Sequence, residues 1–292
     1  MESIGFALVG GGDQIGRRAT YLVRSIRQFH PDAPILMTVP HSEDLNCDFS
    51  KTGVKITHKS IPDPEYPISI KTEALHQAEQ RLDTAWTCFL DTDTLLTSKF
   101  NAHENSSAQI RIKPVDIANQ YWAMASDTTW HTLYDKFNIS PPSEFVKSTV
   151  DRKKMRPYWN AGVVLTRVGN LGQQWRDLTV KIRPNIKSPH HADQVALALL
   201  SANYDVDPLS ENYNYPVHLR AWTIRPKTVL HYHKERWLLS CFKNYGELFD
   251  KIGISAEFPF SRFDVRMAEL MIRSIGKSIM SQLGWLTWDS AW

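Results

Sequence analysis

Short apolar runs alternate with helical stretches in the first part of the chain. Residues Ile4–Val9 and 35–39 are continuous apolar runs of the kind that form buried parallel strands. Between them, apolar side chains recur at helical spacing from about residue 16 to residue 29. Pro31 and Pro34 end that helix, because proline disfavours helical backbone before and at its own position. A strand, a helix and a second strand form the repeating unit of a mostly parallel α/β sheet.

The same alternation continues along the rest of the chain. It predicts helices over residues 70–82 and 193–200, and strands over residues 86–90, 160–166 and 228–233. Residues 101–113 and 138–157 are polar, and the second stretch also contains proline, which predicts loops. The composition changes after about residue 240. We therefore expect a main domain over residues 1–240 and a helical extension over residues 241–292.

Composition excludes several classes of protein. The chain has 292 residues, of which 42% are hydrophobic and 22% charged, so disorder is excluded. Its 34 basic and 31 acidic residues give a net charge of +3. That charge is too small for the electrostatic footprint of a dedicated nucleic-acid binder. Cys47, Cys88 and Cys241 are isolated in the sequence, so neither a disulfide framework nor a cysteine zinc site is predicted.

The N-terminus and the longest apolar runs bear on the compartment. The first residues lack the basic region that begins a signal peptide. No apolar run approaches the roughly 18 residues that are needed to cross a bilayer. We therefore expect a cytoplasmic protein.

Two carboxylates one residue apart are the most informative feature. Asp91 and Asp93 directly follow an apolar strand, and Thr92 lies between them. Open α/β sheets place their ligands at the carboxyl ends of strands. In extended backbone, residues i and i+2 point the same way, so both carboxylates can face one site. Hard cations such as Mg²⁺ and Mn²⁺ take such oxygen ligands, often together with substrate phosphates. The alternative is a solvated turn without a ligand.

Further motifs join this pair in a fixed order. A basic residue, Lys71, precedes it, and an Asn-Ala-Gly strand start, an Asp-Gln pair and a late histidine strand follow it. Together they resemble the nucleotide-diphospho-sugar glycosyltransferases of the GT-A fold. The order is similar to that of the retaining group that includes glycogenin and bacterial galactosyltransferases. The resemblance spans residues 4–237, and it implies a GT-A-like, mostly parallel sheet flanked by helices.

The resemblance also implies a function and a set of site residues. It implies metal-dependent transfer of a sugar from a nucleotide diphosphate donor, most readily a UDP-sugar, to a glycan, lipid or protein acceptor. The implied ligands of Mn²⁺ or Mg²⁺ are Asp91, Asp93 and His231. The implied donor-binding residues are Gly10, Gly11, Gly12, Lys71, Asp91, Thr92, Ala161, Gly162, and Lys234 or Arg236. The implied catalytic residues are Asn160, Asp193 and Gln194.

Other interpretations of the same residues stay open. Gly10, Gly12 and Gly16 follow the first strand and could cradle a dinucleotide, as in an NADP-dependent oxidoreductase, but the GxGxxG register fails. A zinc hydrolase site could use several histidines and one carboxylate; these are His190, His191, Asp193, His231 and His233. A non-catalytic nucleotide-sugar or glycan-binding protein on the same fold is a further alternative.

Three expectations concern finer details. Along the late strand, His231 and His233 point to the same face, and the position of His231 directly after an apolar run favours it as the metal ligand. The aromatic residues Trp122, Trp130, Tyr158 and Trp159 could stack on a sugar or pack in the core. The C-terminal segment carries an apolar stripe at helical spacing. That stripe would dock on a membrane surface, on a partner or on the main domain.

Overall fold

The fold is taken from a computed structural model of the full chain. It describes residues 2–118, 126–186, 189–220 and 226–254, and two isolated positions, Ile272 and Gly276. The apolar stripe predicted for the C-terminal segment falls, apart from Ile272, outside these residues, and so does Trp122. No helix in the described ranges is long and apolar enough to span a membrane.

A seven-stranded sheet forms the centre of the molecule, in the order β10-β6-β9-β4-β1-β2-β3. A three-stranded sheet, β11-β12-β5, and a two-stranded hairpin, β7-β8, lie beside it. The strands are β1 Ile4–Val9, β2 Ile35–Pro40, β3 Val54–Lys59, β4 Trp86–Leu90, β5 Thr94–Leu96, β6 Ile110–Pro114, β7 Val146–Lys147, β8 Lys154–Met155, β9 Trp159–Thr166, β10 Val206–Pro208, β11 Tyr215–Pro216 and β12 Val229–His231.

Helices cover both faces of the central sheet. The α-helices are α1 Asp13–Phe29, α2 Ile70–Arg81, α3 Asp127–Lys136, α4 Leu171–Ile182, α5 Ala192–Ser201, α6 Val217–Arg220 and α7 Phe242–Ile252. Short 3₁₀ segments span Pro67–Ser69, Arg183–Asn185, Pro189–His191, Glu211–Tyr213 and Glu235–Cys241. The predicted α/β fold, a mostly parallel sheet flanked by helices, is confirmed.

Side-chain alternation along the strands divides the core into two layers. In β1, Ala7 faces the layer that contains α2, α4 and α5. Its neighbours Phe6 and Leu8 face the opposite layer, which contains α1. This is the period of two that a strand imposes on its side chains. Because both faces of β1 are covered, its sequence is a continuous apolar run, as expected for a buried parallel strand.

The segment after residue 240 packs on the main domain as far as the structure describes it. Phe249 and Ile252 of α7 lie in one apolar cluster with Leu95, Leu230 and Trp237. Helix α7 also contacts α1. The predicted boundary at residue 240 therefore lies inside a packed cluster, and the domain division remains a prediction.

The loop prediction over residues 101–113 is wrong at its end, where β6 begins. The sequence Ile110–Pro114 contains two basic residues and a proline, which hid the strand pattern. Lys113 is nevertheless fully buried, because Asp116 and Thr149 accept hydrogen bonds from its ammonium group. The hairpin β7-β8 likewise lies within the predicted loop 138–157.

The antiparallel strand β9 determines where functional side chains meet. It pairs with β4 so that Leu90 lies opposite Val163. The N–H of Asp91 donates to the carbonyl of Gly162 at 2.8 Å. The carboxyl end of β4 therefore meets the amino end of β9, and the Asp91–Asp93 motif comes to lie beside the Asn-Ala-Gly motif.

We predict that His30 makes the fold sensitive to acid. Burial lowers the pKa of His30 to about 4, and its Nε2 accepts a hydrogen bond from the Phe100 N–H at 2.9 Å. The unfolded histidine has a pKa of about 6.5, so below that pH the unfolded chain binds a proton that the folded chain does not. The free energy of unfolding therefore decreases as the pH is lowered. His30 accounts for a decrease of about 2 kcal/mol between pH 6.5 and pH 4.5.

Urea unfolding across this pH range measures the effect. In His30→Gln, the amide oxygen can still accept a hydrogen bond from the Phe100 N–H. The stability lost between pH 6.5 and pH 4.5 should be smaller than in the wild type by about 2 kcal/mol. His58→Gln, at an exposed histidine, is the control and should retain the wild-type slope. An unchanged slope in His30→Gln would contradict the assignment.

Candidate functional site

A cleft of about 200 Å³ lies where β4 ends and β9 begins. Most of the residues predicted for the site line it: Lys71, Asp91, Asp93, Asn160, Ala161, Gly162, Asp193, Gln194 and His231. They come from α2, the end of β4, the start of β9, α5 and the end of β12. Motifs up to 160 residues apart in the sequence, from Lys71 to His231, are thus brought to one place.

Asp93, His231 and His233 form a group that can hold a metal ion, with one ligand atom from each lying within 4.8 Å of the others. The Nε2 atom of His231 lies 3.2 Å from Asp93 Oδ1, and Nδ1 of His233 lies 3.9 Å from Oδ2. The two imidazole rings stack with their centroids 3.9 Å apart. Both histidines therefore face the same carboxylate.

The common orientation of the two histidines has a different origin from the one expected. Strand β12 ends at His231, so strand alternation does not extend to His233. Instead, His233 has left-handed backbone, with φ of 56°, and this turn brings its ring against that of His231. Tyr232 points the other way, into the apolar cluster around Leu230 and Trp237.

The two aspartates of the motif have opposite electrostatic character. Burial raises the pKa of Asp91, and Asp93 adds to that effect, although Lys71 opposes it. Burial also disfavours the charged form of Asp93, but the interaction with His231 outweighs it and holds the pKa of Asp93 below its usual value. Asp93 is therefore the more acidic of the two carboxylates.

Lys71 bridges two carboxylates from distant parts of the chain. Its Nζ lies 3.1 Å from Asp91 Oδ1 and 3.3 Å from Asp193 Oδ2. Burial disfavours the ammonium form, yet the two carboxylates together raise the pKa of Lys71 above its usual value. Lys71 thus remains charged and joins the end of β4 to the first turn of α5.

Asp193 is held on both of its oxygens. While Lys71 contacts Oδ2, the hydroxyl of Tyr66 donates to Oδ1 at 2.7 Å. Burial and the Asp193 charge raise the pKa of Tyr66, so the phenol keeps its proton and remains a donor. Asp193 itself lies in the first turn of α5, whose N-cap residue is His191.

Gly162 allows the histidine to approach the backbone of β9. A Cβ added at Gly162 would lie 2.5 Å from Cε1 and 2.8 Å from Nδ1 of His231. Real Cβ atoms do not come this close to other atoms. Only glycine at this position therefore leaves space for the imidazole ring in its present place.

The remaining predicted residues do not line this cleft. Gly10, Gly11 and Gly12 lie between β1 and α1, on the edge of the sheet where β4 also ends. Gly11 and Gly12 have positive φ, 135° and 47°, so this turn requires residues without a side chain. Thr92 accepts a hydrogen bond from Tyr232 through its carbonyl. Lys234 and Arg236 are exposed, and their role as diphosphate contacts remains a prediction.

Sequence reasoning missed several residues of the site. Asp116 lies two residues after β6, buried at the cleft, and would have been noticed if that strand had been predicted. Asn214 and Tyr66 carry no pattern of their own in the sequence. His218 lines the cleft, and its ring meets that of His233 at a centroid distance of 4.1 Å. Of the aromatic cluster, Trp130, Tyr158 and Trp159 are all buried in the core.

We predict that Gly162→Ala weakens metal binding by displacing His231. The added methyl group has to displace the ring from its present place beside Asp93, and a displaced ligand costs of the order of tenfold in affinity. Gly169→Ala is the matched control, because a Cβ at Gly169 meets no atom within 4 Å. Titration with Mn²⁺, followed by the electron paramagnetic resonance signal of the free ion, measures both variants. Wild-type affinity in folded Gly162→Ala would contradict the prediction.

Comparison with solved structures finds the same fold in several glycosyltransferases. GlyE from Streptococcus pneumoniae TIGR4 is 14% identical, with a TM-score of 0.51, over 94% of this chain and 65% of GlyE. The galactosyltransferase LgtC, crystallised with donor and acceptor sugar analogues, is 13% identical, with a TM-score of 0.51, over 91% of this chain and 100% of LgtC.

The bifunctional glycosyltransferase WbbM is 12% identical, with a TM-score of 0.52, over 94% of this chain and 52% of WbbM. The chain thus spans less than two thirds of GlyE and about half of WbbM, and at these identities the likeness shows the fold alone. No curated protein matches the chain. Residues 6–205 match the family model described as the Rhodobacterales glycosyltransferase domain, and the chain, which has the GT-A fold, belongs to this glycosyltransferase family.

Proposed function

We propose that the chain transfers a hexose from a nucleotide diphosphate donor, a UDP-sugar, to a glycan, lipid or protein acceptor, with the help of a divalent cation. The observation that carries this proposal is the convergence of Asp93, His231 and His233 in a cleft that Asp91 and Asp193 also line. A donor diphosphate carries negative charge, and a site made of carboxylates can accept it only together with a cation. The carboxylates of the cleft therefore support a requirement for a divalent cation.

The residues present fit a bound cation. Carboxylate oxygens are the preferred ligands of Mg²⁺ and Mn²⁺, whereas imidazole nitrogen suits the transition metals. A mixed set of Asp93 with His231, and with Asp91 or His233, favours Mn²⁺ over Mg²⁺. When bound, the cation supplies Lewis-acid stabilisation of the charge that develops on the departing diphosphate. Gly162 supports this assignment, since a side chain at this position would take up space that the His231 ring occupies.

Lys71 and Asp193 would position the donor sugar from the other side of the cleft. Asp193 is fixed by Tyr66 and Lys71, so its remaining lone pairs have a defined direction and can accept hydrogen bonds from sugar hydroxyls. Gln194, the next residue on α5, lines the same cleft. We infer that this pair lies near the anomeric carbon. In line with the resemblance to retaining enzymes, we propose that the anomeric configuration is kept.

The nucleotide would lie against the turn formed by Gly10, Gly11 and Gly12. This turn precedes helix α1 and lies on the same edge of the sheet as Asp91. Small residues allow the backbone to approach a ligand closely, and the helix N-terminus favours negative charge. Lys234 or Arg236 would supply a basic contact to the diphosphate from the loop after β12.

We further propose that the reaction takes place in the cytoplasm. The three cysteines, Cys47, Cys88 and Cys241, are all unpaired thiols, as is usual in a reducing compartment. A peripheral contact with a membrane or a partner through the C-terminal segment, predicted from the sequence to be helical, remains part of this proposal. Co-sedimentation of the full chain with liposomes tests that contact.

A thermal-shift panel tests the donor and the cation together. UDP-, GDP- and dTDP-sugars are each added to the full chain with and without Mn²⁺. We expect the UDP-sugars to raise the unfolding temperature only when Mn²⁺ is present. A ligand at 100 times its Kd stabilises the native state by about 2.7 kcal/mol. A parallel sample contains NADP, and stabilisation by NADP instead of a nucleotide-sugar would favour an oxidoreductase and overturn the proposal.

Donor turnover distinguishes an enzyme from a binding protein. We expect release of UDP from the stabilising donor in the presence of Mn²⁺, slowly with water and faster with a suitable acceptor. Donor binding without release of UDP in any acceptor mixture would favour the non-catalytic alternative.

We predict that Asp93→Asn abolishes Mn²⁺-dependent donor stabilisation. The amide has nearly the same shape as the carboxylate but lacks the negative charge that attracts a cation. Its NH₂ group also has no lone pair available to bind the ion. Asp250→Asn, at an exposed aspartate in α7, is the matched control and should behave as the wild type. Full donor-dependent stabilisation of Asp93→Asn in Mn²⁺ would remove Asp93 from the site.

A further inference from the structure

We propose that Asn214 is a positioning residue that keeps the side-chain proton of His231 on Nδ1 and thereby leaves the lone pair of Nε2 to the cation. The inference rests on the proposed function, since it concerns the proposed metal ligand. Asn214 is 1% exposed and His231 is 4% exposed. Oδ1 of Asn214 lies 2.9 Å from Nδ1 of His231.

The direction of this hydrogen bond follows from a chain of polar groups that begins at the backbone of β9. The N–H of Gly162 donates to Oδ1 of Asn160 at 3.0 Å. A backbone N–H can only donate, so the atom of Asn160 that faces it has to be the oxygen. The amide nitrogen of Asn160 then faces Oδ2 of Asp116, to which it donates at 3.2 Å.

Asp116 fixes the other end of the Asn160 side chain. Its Oδ1 accepts hydrogen bonds from the buried ammonium of Lys113 and from the hydroxyl of Thr149. Burial disfavours the charge of Asp116, but Lys113 outweighs this and holds the pKa of Asp116 below its usual value. An ionised carboxylate only accepts hydrogen bonds, so it requires the amide nitrogen of Asn160 and excludes the flipped amide.

The orientation of Asn160 is then transmitted to Asn214. Oδ1 of Asn160 accepts a second hydrogen bond, from Nδ2 of Asn214, at 3.1 Å. With its nitrogen used in this way, Asn214 can present only its oxygen to His231. An oxygen without a proton requires that Nδ1 of the imidazole carries one. The Gly162 N–H can only donate and the Asp116 carboxylate can only accept. Through Asn160 and Asn214, these two groups therefore determine the tautomer of His231.

Asp93, on the opposite side of the His231 ring, favours the other tautomer. Nε2 of His231 lies 3.2 Å from Oδ1 of Asp93, a carboxylate that by itself would attract the proton to Nε2. A proton on Nε2 would block the nitrogen that faces the cation site. The bond to Asn214 stabilises the other tautomer, in which Nε2 is unprotonated, and it also fixes the plane of the ring. Groups of this kind behind metal-binding histidines contribute of the order of 10- to 100-fold to metal affinity.

Nitrogen NMR of the full chain, labelled with ¹⁵N-histidine at pH 8.5, tests the tautomer directly. The spectrum is recorded with and without Mg²⁺, which is diamagnetic, and His231→Gln identifies the resonances of His231. We expect Nδ1 of His231 to carry a proton in both samples. In Asn214→Leu, which has a similar volume but no acceptor, the proton should move to Nε2, toward Asp93. A wild-type His231 without a proton on Nδ1 overturns the inference, whatever the variants do.

Mn²⁺ titration of the variants tests the consequence for the cation. We expect Asn214→Leu to bind Mn²⁺ 10- to 100-fold more weakly than the wild type. Asn214→Asp keeps an acceptor for the Nδ1 proton, although it replaces the donor to Asn160 by an oxygen, and should bind Mn²⁺ more tightly than Asn214→Leu. Asn212→Leu, the same substitution at an exposed asparagine two residues away, should bind as the wild type does. Equal affinities of the wild type and folded Asn214→Leu overturn the inference.

Two further outcomes have defined meanings. If Asn214→Leu does not fold, the wild-type spectrum and Asn214→Asp decide. A proton on Nδ1 of His231 in both, with Mn²⁺ binding retained in Asn214→Asp, supports the inference. Loss of Mn²⁺ binding in Asn214→Asp with an unchanged tautomer overturns it. If the wild type binds no Mn²⁺, the metal requirement of the proposed function fails. The tautomer then decides alone, and a proton on Nδ1 still supports the positioning role of Asn214.

Discussion

The pairing of β9 with β4 is the constraint on which the candidate site depends. Because β9 runs antiparallel within a mostly parallel sheet, its first residues meet the last residues of β4. The hydrogen bond from Asp91 N–H to the carbonyl of Gly162 fixes this meeting point at 2.8 Å. A parallel strand in the same place would have brought its carboxyl end to this edge and carried Asn160 and Gly162 to the far end of the sheet. The reversed strand therefore creates the cleft.

Charge balance then explains how so many acids share one small cleft. Asp91, Asp93, Asp116 and Asp193 line it, while Lys71 and the buried Lys113 are the ammonium groups bonded to them. The carboxylates therefore outnumber the ammonium groups bonded to them, and the cleft is acidic when the histidines are neutral. Buried charge without compensation is costly. A divalent cation beside Asp93 would offset negative charge in the cleft, which supports the proposed metal requirement on grounds independent of the ligand geometry.

Strand-end motifs could be predicted from the sequence because they depend on local pattern. The apolar run before Asp91 identified β4, and β9 and α5 were identified in the same way, so their site residues were found. Asp116 was missed because β6 carries a buried lysine, whose burial depends on a partner three residues away. Asn214 was missed for a deeper reason: its importance comes from a contact with His231 across 17 residues of sequence, and nothing local distinguishes it from a surface asparagine.

The polar chain also limits what Asn160 can do for a substrate. Its oxygen accepts from both Gly162 and Asn214, which uses both lone pairs, and one of its two N–H groups donates to Asp116. One N–H therefore remains for a sugar hydroxyl, and the amide cannot act as an acceptor from the sugar. Since the same side chain orients Asn214 and through it His231, a substitution at Asn160 would disturb the cation site as well. A loss of activity at Asn160 would then not by itself establish contact with the sugar.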